Sequence, residues 1–291
     1  MSSGYIIYNG ADTRTLSGVY VYRNDLYGRP TRGYQVINPP GRMGSVIRDN
    51  MRYPNVEMVY DILINGNFDT KYRQIRSMLL GVDGYARLED SWNPDEFYQA
   101  YVSAPLEPRV SVDREKGAVT VVFSRRPERW LKSGETLVKG AGGNITNPTK
   151  YNAYPYVTIA LDTNKIAADS GSINNSYLFR IGYSSSGGTF INICDMFAAS
   201  GNKKPLKDMF QSKTSVAIDC ATGDIIVTPS TDSLRQYIYI FDSDIVYATR
   251  PYQNRMPFLS PGTNRYDIGG WFSSVAVDSN SMCVTPRWYT I

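Results

Sequence analysis

Three groupings of side chains in this 291-residue chain have the types and spacing that chemistry needs. Glu89, Asp90, Asp95 and Glu96 crowd the stretch "EDSWNPDEF" around an expected turn. Two carboxylates held across a sugar ring hydrolyse glycosidic bonds, although an acidic turn more simply meets solvent or arginine. Asp242 and Asp244, in "FDSDIVY", alternate and so share one face of an expected strand. Two carboxylates there suit Ca²⁺ or an arginine, but the Gly and later Glu of a helix–loop–helix calcium loop are missing. Trp92, Trp130, Trp271 and Trp288 supply large ring faces. Trp271 and Trp288 are the candidates for stacking on a sugar, and packing in a core or an interface is the plainer use of all four.

The rest of the composition removes whole mechanisms. The chain has no histidine, which excludes Ser-His-Asp and Cys-His nucleophile systems and the HExxH zinc site. The three cysteines, Cys194, Cys220 and Cys283, are odd in number and lack C-x-x-C spacing, so neither a disulfide framework nor a zinc site is expected. "GSINNSYLFRIGYSSSGG" is rich in Gly and Ser but lacks the Gly-Lys-Ser/Thr ending of a phosphate loop, and reads as a hairpin. No apolar run approaches the roughly 20 residues of a membrane helix. "MSSGYIIYNG" has no basic or long apolar region, so no signal peptide is expected and folding in the cytosol follows. No cofactor, no metal and no catalysis are expected.

The net charge of +4 is unevenly placed. Residues 1–55 hold seven arginines (14, 23, 29, 32, 42, 48 and 52) against Asp12, Asp25 and Asp49, while residues 56–140 and 141–291 are each close to balanced. Arginine favours planar, bidentate pairing with carboxylates or phosphates. The excess is small and the aromatics are not grouped as in an RNA-binding strand, so carboxylates on a neighbouring protein chain are a better target than nucleic acid.

The elements that must position these residues are mostly strands. "YIIYNG", "GVYVYRN" and "RGYQVI" are short strands between turns, and Arg42 to Asn55 is polar and turn-rich. Val56 to Ile64 alternates cleanly. After the turn "NGNF", "DTKYRQIRSMLLG" is a helix with Asp69 as N-cap, an apolar face of Tyr72, Ile75, Met78 and Leu79, and Gly81 as stop. "GYARLED" and "EFYQAYV" pair as a hairpin through "SWNPD", and "RVSVDREKGAVTVVFSRRPERWL" is two strands around "REKG". Lys132 to Asn152 is rich in Gly, Thr and Asn with little to bury. It separates a domain at 1–140 from one at 141–291, the second nearly all short strands with regular turns. The fold class is mainly β: a sandwich- or barrel-like first domain with one helix, then a β-sandwich or jelly roll.

The order of these pieces is similar to the distal tail protein (Dit) family of long-tailed, non-contractile phages. The segments that carry the resemblance are "PPGRMG", "RDNMRYPN", "VEMVYDILI", "YRQIRSMLLGVDG", "LEDSWNPDEFYQAYV" and "VTVVFSRRPERWLKSGE", with "FLSPGTNRYDI" and "CVTPRWYTI" near the end. They cover roughly residues 5–140 well and 215–291 in outline. The resemblance implies a structural protein at the distal end of a virion tail, assembled in the bacterial cytoplasm. It implies a homo-hexameric ring, one or two rings deep, that meets the tail tube protein on one side and the tail-associated lysin or tip protein on the other. It also implies a galectin-like second domain that carries a receptor-binding protein or binds host glycan. Head-to-tail contact in a ring requires two complementary surfaces. Arg42, Arg48, Arg52 and Tyr53 are expected to supply one, and Glu89, Asp90, Asp95 and Glu96 the other. Two other classes stand beside this reading: a glycan-binding adhesin module and a glycan-degrading enzyme.

Overall fold

The computed structural model describes residues 3–24, 28–50, 52–168, 177–184, 187–193, 210, 212–229, 238–242, 256–269, 276–278 and 280–291. Asp244, Trp271 and Cys194 lie outside them, as does the side chain of Asp242. The chain divides into two compact units, Met1–Lys132 with Thr290–Ile291, and Ser133–Tyr289.

The first unit contains β1 (Ile6–Tyr8), β2 (Ala11–Asp12), β3 (Val19–Arg23), β4 (Tyr34–Ile37), β5 (Val46–Asp49), β6 (Val56–Asn65), β7 (Ala86–Asp90), β8 (Glu96–Val102), β9 (Glu107–Val110), β10 (Lys116–Arg125) and β11 (Arg129–Leu131). Its main sheet runs β2-β1-β7-β8-β10-β6-β3, with β9 added to β10 and β11 to β8. Gly4 N donates to Val21 O at 2.8 Å, so the chain just before β1 meets β3 and the sheet curls into a barrel. Period-two alternation decides what fills it. Val56, Met58, Tyr60, Ile62 and Ile64 of β6 are all buried, as are Val119, Val121 and Phe123 opposite them on β10. Tyr8 and Tyr60 pack their rings against Phe123 at 5.1 and 5.8 Å.

The helix α1 spans Phe68–Leu80, one residue ahead of the expected cap. Gly66 (φ 77°) and Asn67 (φ 52°) take left-handed backbone in the "NGNF" turn. That turn swings Phe68 into the core, where it stacks on Tyr72 at 5.7 Å. Asn67 occupies the cap position without a side-chain cap bond, and Asp69 sits in the first turn, where a carboxylate complements the helix dipole. Ile75 and Leu79 are buried as the 3.6-residue spacing requires. Gly117 on β10 faces Phe68: a Cβ there would lie 2.4 and 2.6 Å from the ring and 2.7 Å from the Arg109 carbonyl. Gly117→Ala is expected to cost about 1–3 kcal/mol through overpacking, read as a lowered denaturation midpoint. An unchanged midpoint would mean that the ring has room to move.

The second unit contains β12 (Val138–Lys139), β13 (Gly142–Asn147), β14 (Tyr156–Ala160), a short α2 (Thr163–Ala168), β15 (Tyr177–Ser184), β16 (Gly187–Ile193), β17 (Ser215–Asp219), β18 (Asp224–Thr228), β19 (Ile238–Asp242), β20 (Gly262–Gly269), β21 (Met282–Thr285) and β22 (Tyr289–Thr290), the last straddling the division. Two five-stranded sheets form, β12-β21-β14-β17-β18 and β13-β20-β15-β16-β19. Val157, Ile159, Val216, Ile218 and Val284 of the first sheet are buried, as are Ile145, Ile181 and Tyr266 of the second, which is the one-face burial of a β-sandwich. The Gly- and Asn-rich stretch from Lys132 differs from its expected character. It supplies β12 and β13, one strand to each sheet, and Ile145 and Asn147 are buried. Backbone pairing along both strands compensates for the scarcity of apolar side chains.

Candidate functional site

The arginine-bearing segment is a hairpin that forms a two-stranded sheet of its own, not paired into the main sheet of the first unit. β4 and β5 pair only with each other, Tyr34 opposite Asp49, Gln35 opposite Arg48, Val36 opposite Ile47 and Ile37 opposite Val46. Gly41 (φ 77°) and Gly44 (φ 81°) shape the loop between them, a backbone region that a side chain disfavours. Arg32 pairs with Asp49 at 2.5 Å near the base. Gly33 and Arg52 close the base through a backbone bond of 3.0 Å. The sequence signals a strand at β4 but not at β5, because no residue of β5 alternates into a core.

Alternation puts Tyr34, Val36 and Ile47 on one face of this arm, and the face is open. Val36 is 60% exposed, Ile47 65%, and Met43 in the loop 101%. Arg42, Arg48 and Arg52 are exposed too, Tyr53 is half-buried, and none of the three arginines forms an ion pair with a described carboxylate. A two-stranded ribbon is marginally stable in water alone. Exposed apolar residues grouped with arginine are the composition of a protein contact rather than of a solvated loop.

The acidic hairpin behaves differently from its expected role, because its own chain already holds most of its charge. Asp90 is 1% exposed. Its Oδ2 accepts from Arg23 at 3.0 Å and from the Tyr60 hydroxyl at 2.7 Å, and its Oδ1 accepts from the backbone N–H of Trp92 and Asn93 at 3.0 and 2.8 Å. Burial, then the Asp90 carboxylate, pushes the Tyr60 hydroxyl well above the ordinary tyrosine range. Glu89 sits between Arg87 and Lys132, each at 2.5 Å. Burial alone would raise its carboxyl, but hydrogen bonds from Lys132 and Arg87 outweigh that and hold it below the usual range. Glu96 takes a two-point grip from Arg129 at 2.8 and 2.7 Å. Only Asp95 of the four is exposed and free of a described ion pair. The physical cause is the basic run after β10: β11 pairs with β8, Leu131 opposite Glu96, and brings Arg129 and Lys132 onto the hairpin.

Alternation carries a signal here that charge counting missed. Asp90 ends β7 on the parity of Ala86 and Leu88, Arg23 ends β3 on the parity of Val21, and Arg125 ends β10 on that of Phe123. Each is inward and buried, at one end of the barrel.

The ring candidates fare as follows. Trp288 is 5% exposed and packs over Gly134, where an added Cβ would lie 3.1 Å from the indole. It offers no face to a sugar, and its expected stacking role is withdrawn. Among the described residues no three His, Cys, Asp or Glu side chains gather as metal ligands do. Cys220 is buried, with its thiol pushed far up by burial, and Cys283 is half-buried.

A barrel with one helix and a projecting arm, followed by a two-sheet sandwich, defines the class of fold as mainly β and Dit-like. The crystal structure of the Dit protein of phage SPP1, titled a paradigm of the hub adsorption apparatus of phages infecting Gram-positive bacteria, matches 99% of this chain and 99% of its own with a TM-score of 0.56 at 12% identity. A chain of the phage P2 baseplate, solved in its activated conformation with Ca, matches over 98% and 97% with a TM-score of 0.45 at 8% identity. The same baseplate solved with Sr gives 0.44 at 8% over 97% of each chain. No protein-family model matches the sequence, and no curated protein matches it.

Proposed function

We propose that this chain is a structural protein of a phage tail that assembles as a hexameric ring at the distal end and joins the tail tube to the tip. The carrying observation is the arm, β4–β5, whose apolar face is exposed and whose three arginines pair with no carboxylate among the described residues. Likeness in fold to the SPP1 Dit protein across 99% of both chains supports the same reading. In a ring the arm of one copy lies on its neighbour, which buries Val36 and Ile47 and gives Arg42, Arg48 and Arg52 carboxylate partners. The neighbouring surface is not the acidic hairpin as a whole, since Glu89, Asp90 and Glu96 are engaged; Asp95 remains available. The tail tube protein, the tail-associated tip protein and a receptor-binding protein are the partners this role implies, and no catalysis is required of the chain.

The test is mass photometry and negative-stain electron microscopy of the purified protein, with six-copy rings expected. Arg42→Ser, Arg48→Ser and Arg52→Ser together are expected to weaken the rings with the circular dichroism spectrum unchanged, since exposed substitutions cost within about 0.5 kcal/mol each. A strictly monomeric wild type at micromolar concentration would overturn the proposal.

A further inference from the structure

The end of the barrel where β3, β7 and β10 finish holds a cavity of about 170 Å³. Arg23, Arg29, Arg125 and Arg129 line it with Gly28, Asn93 and Tyr98, and no carboxylate is among its described lining residues. Two of the four guanidinium groups are neutralised from behind, Arg23 by Asp90 and Arg129 by Glu96. Arg29 and Arg125 form no ion pair with a described carboxylate.

Arg125 is the informative one. It is buried, yet it spends its hydrogen bonds on neutral groups: Nη1 donates to the carbonyls of Arg126 and Pro127 at 3.0 and 3.1 Å, and Nη2 to that of Gly28 at 3.5 Å. Its Nε is shielded from solvent and has no acceptor among the described residues. The guanidinium lies 5.1 Å over the Tyr98 ring. Burial and the nearby charges of Arg129 and Arg23 push it below the ordinary arginine range, with Tyr98 and Tyr60 opposing. A buried cation with no counter-charge among the described residues is a costly arrangement for a fold to hold. The groups around it are forked donors, which match the oxygens of carboxylate or phosphate two at a time.

We propose that this barrel mouth is a receptor for a single oxyanion, held between the guanidinium groups of Arg29 and Arg125, both of which line the cavity. The cavity equals roughly five or six water volumes, at about 30 Å³ each, which admits one carboxylate or phosphate group. Two sources supply that chemistry: a free inorganic oxyanion, or a carboxylate carried in by a docking polypeptide. The inference is independent of ring formation, because every lining residue belongs to the first unit.

The test is calorimetric titration of the full-length protein with sodium phosphate, against sodium chloride at matched ionic strength. Saturable binding of phosphate and none of chloride is expected. Arg29→Ala, at an exposed position, is expected to weaken binding about tenfold, the scale of one charge-assisted contact. Arg125→Lys replaces the forked guanidinium with a single ammonium and is expected to weaken it at least as much; should that variant not fold, Arg29→Ala decides alone. A second arm titrates an acetylated tripeptide with a free C-terminal carboxylate and the same peptide as its amide. Binding of the acid but not the amide assigns the site to a docking chain, and binding of phosphate alone assigns it to an inorganic ion. Equal heats for phosphate and chloride, or affinity unchanged in Arg29→Ala, would overturn the proposal.

Discussion

Asp90→Ala is expected to destabilise the first unit by about 3–5 kcal/mol, because it leaves one half of a buried ion pair without the other. The Arg23 and Asp90 side chains are 5% and 0% exposed, so water does not reach in to replace the lost partner. The Tyr60 hydroxyl and the backbone N–H groups of Trp92 and Asn93 lose their acceptor in the same substitution. Asp90→Asn keeps an acceptor for the two backbone groups and removes the charge, so its loss is expected to be smaller. Hydrogen exchange of the β6 and β7 amides reads this unit by itself. At 1.4 kcal/mol per decade, exchange in Asp90→Ala is expected to rise by about two to four orders of magnitude. A rise below tenfold would mean that Arg23 finds another acceptor at little cost, and that the network is not the closure of the barrel end.

The second large effect concerns association, with folding left intact. Val36→Ser with Ile47→Ser removes the paired apolar residues at the centre of the arm's open face. Burying a Val or Ile side chain contributes about 1.5–3 kcal/mol, and each closed ring contains that loss at every contact. Rings are expected to disappear at concentrations where wild type is fully assembled. Both positions are more than half exposed, so the denaturation midpoint is expected to stay within about 0.5 kcal/mol of wild type. Rings that survive the double substitution would remove the arm from the interface. Loss of folding would show that the arm packs within its own copy.

How much of this was legible follows from where each residue's environment comes from. The strand β6 and the apolar face of α1 were legible because both are periodic against a core, and periodicity is what a sequence displays. The helix start was misplaced because left-handed backbone at Asn67, which no composition rule announces, brought Phe68 inside. The arm was half legible: its arginines stood out, but a strand without a buried face has no alternation to read, and β5 passed as turn. That the acidic cluster meets arginine was legible; that the partners come from its own chain was not, because charge was counted along the chain while partners arrive across the sheet, as Lys132 does at Glu89. Parity would have corrected it, since Asp90 continues the inward row of Ala86 and Leu88.

The path of the chain through its two units has a consequence for how such genes recombine. The first unit is made of residues 1–132 and 290–291, so the second is an insertion within it. Its entry and exit lie side by side: Arg287 N–H donates to the Gly134 carbonyl at 2.8 Å, and Trp288 covers Gly134. A pair of crossovers, at 132/133 and 289/290, therefore exchanges the whole sandwich as a cassette. The barrel, its arm and its arginine-lined mouth lie outside the exchanged stretch, so their residues are the same before and after it.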